Sequence, residues 1–162
     1  MRKIILIISL FLFCNSCFIN KGLWIGDVCR PKKTKFSILK IPFKETNKLS
    51  FQKIYLTRRK FRGIGFYPDG RLIYLVAKGN NCLRDQDVIA KNWDNAKYIG
   101  YWRVEKENIK IEYFLCGNSG NYIKKKGLIK GDTIFFEYNY SVHPFKSKKA
   151  FHPWVLSNMS FD

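Results

Sequence analysis

Acidic side chains are scarce in this 162-residue chain: 12 Asp and Glu stand against 30 Lys and Arg, a net charge of +18. The few carboxylates fall mostly in turns or on strand exteriors, so no pair of them suggests acid–base work on a glycosidic bond. Histidine is scarcer still, at two residues, His143 and His152, each followed by proline in a small internal echo. Neither has a carboxylate or cysteine at a recognisable spacing. A hydrolase acting through either histidine is the least favoured function, and the domain reads as non-catalytic. Of the cysteines beyond the first 17 residues, Cys29, Cys82 and Cys116, no two have the spacing of a zinc site, and neither a metal nor a cofactor is expected. Gly117-Asn118-Ser119-Gly120 lacks the closing glycine of a nucleophile elbow. Gly63-Ile64-Gly65 continues into Phe66-Tyr67-Pro68 rather than into a phosphate-binding helix. Both read as backbone devices, a turn and a bend.

Long apolar runs are also missing, with one short exception. Ile4 to Phe13 follows the basic pair Arg2-Lys3. As a helix it reaches about 15 Å, half of a hydrocarbon core of roughly 30 Å. Charge, short apolar run and small residues match an export signal, either an ordinary signal peptide cleaved after Ser16 or a lipoprotein signal. The end of this stretch, Cys14-Asn15-Ser16-Cys17, resembles a bacterial lipobox. In that pattern a peptidase cuts before a cysteine that already carries a diacylglyceryl thioether. The small residue required before the cysteine is present at Ser16 and absent at Phe13, which assigns Cys17 as the lipid attachment site. Cys14 stands where the pattern has leucine. Residues 1–16 are then a lipoprotein signal peptide, and residues 17–21 the lipidated cysteine with a tether. Four extended residues reach about 14 Å, which keeps the domain close to the membrane. Acyl chains in twos or threes anchor stably where one does not. The expected location is the periplasmic side of a bacterial outer membrane.

Removing residues 1–16 takes Arg2 and Lys3 along and leaves 146 residues carrying +16, enough for one domain over 22–162 with a sizeable core. Export makes nucleic acid a poor partner. Anionic lipid, an envelope polymer, an acidic protein and a small apolar ligand remain. Lys32, Lys33, Lys35, Lys124, Lys125 and Lys126 are the residues expected to meet an anionic surface, though much lysine in so Lys-, Asn- and Ile-rich a chain also reads as a solvated face. Three cysteines remain after Cys14 and Cys17: Cys29, Cys82 and Cys116. Counting strand directions puts Cys82 and Cys116 at one end of the domain, two strands apart, about 10 Å before the intervening loop adjusts. They are expected to lie near each other and are a candidate disulfide pair, with Cys29 an alternative partner for either.

From residue 50 onward the chain alternates with period two. Phe61–Tyr67 and Arg71–Ala77 flank Pro68-Asp69-Gly70, in which proline presets a turn and glycine takes the left-handed position. Tyr98–Val104 and Asn108–Leu115 flank a second turn, and Asn121–Ile129 and Asp132–Tyr140 a third. A first strand is expected over residues 22–28, an edge strand over 36–41 and a last strand over 154–161. The link 78–97 breaks the rhythm. Its Leu83, Val88, Ile89 and Trp93 suggest one short helix beginning near Asp85, in a lid or a plug over a barrel end.

The expected fold is therefore all-β: an antiparallel up-and-down meander of about eight strands closing into a barrel, with a β-sandwich or half-open sheet as the structural alternative. With Gly22-Leu23-Trp24 at its start, this architecture resembles the lipocalin-like lipoproteins of bacteria. That resemblance implies that Trp24 packs across the closed end of the barrel, and that the function is binding of a small apolar or amphipathic ligand. The other class open to this sequence is an envelope interaction protein, an inhibitor or assembly factor, using its basic surface. An inward set of Ile54, Leu56, Ile64, Phe66, Trp102, Val104, Ile109, Ile111, Tyr113, Ile134, Phe136 and Tyr138 is bulky enough to leave a small central cavity or none.

Overall fold

The computed structural model describes residues 21–79, 81–117, 119–143 and 146–162, with the backbone alone over 140–143 and 146–148. The signal segment and Cys17 lie outside the described residues. Ten strands form: β1 (Gly22–Ile25), β2 (Val28–Pro31), β3 (Lys53–Thr57), β4 (Arg62–Phe66), β5 (Arg71–Val76), β6 (Tyr98–Glu105), β7 (Asn108–Leu115), β8 (Asn121–Lys130), β9 (Thr133–His143) and β10 (Lys146–Ser160). β3 to β10 make a closed barrel in which every neighbour is antiparallel and β10 returns to pair with β3. Among the described residues no helix is long and apolar enough to cross a membrane.

Alternation builds the barrel. Ile109, Ile111 and Tyr113 on β7 meet Val104, Trp102 and Gly100 on β6, all on one face, while Lys110 pairs with Arg103 on the other. The inward face packs into one cluster with Ile64, Phe66, Leu72, Tyr74, Ile134, Phe136 and Trp154. Ile64, Phe66, Leu72, Trp102, Ile109 and Ile134 have no accessible surface at all, so no void of water size adjoins them. The middle of the barrel is filled, as the inward aromatics predict.

One end is closed from below. Residues 41–52 fold under it and push Phe43, Leu49 and Phe51 against the core. The centroids of Phe43 and Phe51 lie 5.3 and 5.9 Å from that of Trp102. The Trp102 indole N–H donates to the Tyr67 carbonyl at 2.9 Å, beside the Pro68-Asp69-Gly70 turn. Gly70 takes φ +90° there, as the turn requires.

The expected barrel strand at residues 22–28 is instead a small hairpin, β1–β2, turning at Gly26-Asp27 as a separate sheet. The expected edge strand over 36–41 is a 3-10 turn, Ser37–Lys40. Hairpin and turn cover the outside of the barrel, where Cys29, Phe36 and Ile38 pack on Phe114 and Cys116. The link 78–97 is neither lid nor plug. Its one helical turn, Asp85–Val88, begins where the sequence indicates, but the segment lies on the outer wall. Leu83, Val88 and Ala96, with Phe161, cover Ile54, Leu56, Ile73, Leu75 and Ile99. Ile54 and Leu56 therefore face outward under this cladding, and Tyr55 between them faces the core.

Candidate functional site

The end opposite Trp102 is built differently. The β8–β9 ladder runs only from Gly127↔Phe136 to Lys130↔Thr133. Beyond it β8 continues over 121–126 against β7 alone, and β9 over 137–143 against β10 alone. The wall is split there. Gly127 sits at the apex because the strands close tightly: an added Cβ would lie 2.7 Å from the Phe135 carbonyl oxygen.

Inward positions on β8 alternate as Ile123, Lys125, Gly127 and Ile129, which carries Lys125 into the barrel beside the split. Its ammonium lies over the Trp154 ring, 5.7 Å from the centroid. Arg62, two residues before inward Ile64 on β4, reaches the same end, and its charge acts on Lys125, Tyr74 and Tyr113. The Tyr74 and Tyr113 rings stack at 4.3 Å. Tyr74 also lies 6.2 Å from both Tyr98 and Trp154. On the other side of the split His152 stacks on Tyr138 at 4.0 Å.

Electrostatics at this end are one-sided. All 12 acidic residues of the chain lie among the described ones, and the four ion pairs found among the described residues involve neither Lys125 nor Arg62. Burial, helped by the nearby Arg62, lowers the pKa of Lys125. Burial raises the phenols of Tyr74 and Tyr113, and Arg62 acts against it. Such an arrangement can receive a negative charge next to aromatic surface.

The lysines singled out in the sequence separate here. Lys124 and Lys126 are exposed on the outer face of β8. The Tyr122 hydroxyl, on that same face, accepts from the Lys35 amide at 3.0 Å and donates to the Lys33 carbonyl at 2.7 Å. Lys32, Lys33 and Lys35 are thereby joined to Lys124 and Lys126 in one outer wall, while Lys125 belongs to the interior. Under the wall lies Glu112, 1% exposed, which accepts from the Ile38 amide at 2.7 Å and the Ser37 hydroxyl at 3.1 Å. Lys124 stands 4.0 Å from it. The Lys21 amide donates to the Ser119 carbonyl, and its own carbonyl accepts from the Lys32 amide, which fixes Lys21, the first described residue, at the edge of this wall.

Two expectations are corrected. Trp24 does not pack across a barrel end. It is half exposed on the outer hairpin, edge-on to Tyr98 at 6.4 Å with Lys97 over it. The tryptophan at the closed end is Trp102, from the second Gly-x-Trp, Gly100-Tyr101-Trp102. Nor are Cys82 and Cys116 joined. The disulfide links Cys29 to Cys116, with Cα atoms 5.8 Å apart, and Cys82 is exposed and free. The reason is path. The link carries Cys82 over the β3–β4 side, where its thiol meets the Arg59 carbonyl, while the hairpin lays Cys29 across β6 and β7, its amide bonded to the Lys97 carbonyl.

The His143 side chain lies outside the described residues. No group of three potential metal ligands occurs among those described. Compared with family models, curated proteins and solved structures, the chain finds no match.

Proposed function

We propose that this is a lipid-anchored lipoprotein of the bacterial cell envelope, held by Cys17 on the periplasmic side of the outer membrane. Its barrel is a non-catalytic, lipocalin-like binding domain. The observation that carries the binding reading is the contrast between the two barrel ends: one sealed by Phe43, Phe51 and Trp102, the other split and lined by Arg62, Lys125 and aromatic rings with no carboxylate among them. A ligand would be taken at that second end, since the middle is packed. The Cys29–Cys116 bond suits an exported protein, because disulfides persist in oxidising compartments.

The test has two arms. Mass spectrometry of the mature N-terminus is expected to find an acylated Cys17, and a Cys17→Ala variant is expected to leave the membrane fraction. Extraction of the purified protein is expected to release a small molecule in more than trace amount. An unmodified N-terminus would remove the anchor, and an empty protein that acquires no ligand from an envelope extract would remove the carrier.

A second reading, an envelope interaction protein such as an inhibitor or assembly factor, is favoured by one observation: the basic wall of Lys32, Lys33, Lys35, Lys124 and Lys126 is continuous and exposed. Its partner would be an acidic protein, an anionic polymer or the lipid surface itself.

A further inference from the structure

The split between β8 and β9 and the two cations beside it, neither of them paired with a carboxylate, belong to one place, and together they specify a ligand class. This step rests on the binding reading above. Lys125 is an expensive residue where it stands. An inward position on a barrel strand, above Trp154 and level with Ile111, is where an apolar side chain gives the better core. The charge has no acidic partner within the chain, and Arg62 nearby makes the cost larger. Two cations converging without a counter-charge leave the negative partner to come from outside. The half-buried rim around them is apolar: Ile123, Leu115, Tyr98 and Tyr138.

We propose that the β8–β9 split is the portal for a small amphipathic carboxylate, whose acid group is held between Lys125 and Arg62 and whose apolar body lies along Ile123 and the Tyr138–His152 stack. The guanidinium fork of Arg62 suits a planar carboxylate, which it can bind through two parallel hydrogen bonds. The packed middle of the barrel limits the body to a short one, seated at the rim rather than threaded through the core. Such an acid could be aliphatic, as released from lipid, or aromatic.

Titration calorimetry of the full-length protein in a nonionic detergent, against detergent alone, tests this with octanoate, benzoate, octanol and octylamine. Saturable heat is expected with octanoate or benzoate, and the stronger of the two identifies the body. None is expected with octanol or octylamine. Lys125→Gln and Arg62→Gln are each expected to weaken binding about tenfold or more, the order of one charge-assisted hydrogen bond. Lys124→Gln, one position away on the opposite face of the strand, is expected to change nothing. A thermal melt shows that each variant is folded. Octanol binding as well as octanoate, Lys124→Gln weakening as much as Lys125→Gln, or no saturable heat with either acid would each overturn the inference. If neither acid binds while a neutral molecule co-purifies with the protein, the portal falls and the binding reading stands.

Discussion

The Lys125 ammonium sits 5.7 Å from the centre of the Trp154 ring, inside the barrel, while Lys124 and Lys126 stand exposed on its outer wall. One strand thus delivers three consecutive lysines to two environments. Burial and the Arg62 charge hold Lys125 below its ordinary value of 10.5. Between that lowered value and 10.5 the unfolded chain binds more protons than the folded one, so this group makes stability rise with pH across the window. Lys125→Met is expected to raise the melting temperature at neutral pH and to flatten that rise. Tyr74 and Tyr113 act in the opposite sense. Burial lifts both phenols above 10.0, so the folded chain keeps protons that the unfolded chain loses, and stability falls above pH about 10. Denaturant midpoints over an alkaline pH series check both slopes. A melting temperature lowered by Lys125→Met would contradict the placement of the charge.

The Cys29–Cys116 bond closes a separation of 87 residues and fixes the outer hairpin to β7. In the chain-entropy account a loop of that length contributes about 4–5 kcal/mol. Cys29→Ser is expected to cost a large part of this, measured by urea unfolding, and to match the wild type under reducing conditions. Cys82→Ser is expected to be neutral. Thiol titration of oxidised mature protein should find one reactive cysteine, Cys82; three would mean that the bond is absent.

Glu112 holds the 3-10 turn against the barrel through the Ile38 amide and the Ser37 hydroxyl. Glu112→Ala strands a buried N–H and is expected to cost about 1–3 kcal/mol. Glu112→Gln, which keeps an acceptor, is expected to cost less. Equal losses in equilibrium unfolding would locate the effect in charge rather than in the hydrogen bonds.

The basic wall predicts salt-dependent adhesion. Protein lacking the anchor, made as Cys17→Ala, is expected to sediment with anionic vesicles at low salt and to release as salt rises. Each lysine near the surface contributes about 1 kcal/mol. Replacing Lys32, Lys33, Lys35, Lys124 and Lys126 by Gln is expected to abolish this, whereas Lys125→Gln leaves it nearly intact. Equal adhesion to neutral vesicles would contradict an electrostatic wall.

Leu83→Ala is expected to destabilise the domain by about 2–3 kcal/mol, because the 78–97 link is cladding on the wall rather than a movable lid. Unchanged stability, measured by chemical unfolding, would return the link to the role of a lid.

The barrel was legible in the sequence because strands such as Asn108–Leu115 alternate in residue type, Ile109, Ile111 and Tyr113 inward against Lys110 and Glu112 outward, even though the hairpin and the 3-10 turn bury Glu112 and Phe114 on the outer face. Strand β3 was not: Ile54, Tyr55 and Leu56 are all buried, one face by the core and the other by the link and Phe161, so period two carries no direction there. Trp24 and Trp102 carry the same Gly-x-Trp signature, but Trp24 stands on a hairpin outside the barrel and Trp102 on a barrel strand, a difference the signature does not contain. The cysteine pairing depends on the paths of two segments outside the barrel, on which strand counting is silent. Lys125 left a signal that the strand rhythm contains, since Ile123, Gly127 and Ile129 are its neighbours at intervals of two; the adjacent Lys124 and Lys126 masked it by making the run read as a solvated face.

The most direct test of a barrel that binds at its cationic end is native mass spectrometry of the full-length protein released from membranes in detergent. The expected result is an acylated chain carrying an acidic small-molecule adduct that is lost in the Lys125→Gln, Arg62→Gln double variant. A neutral apolar adduct that survives in that variant would contradict it, and would place the ligand in the core instead.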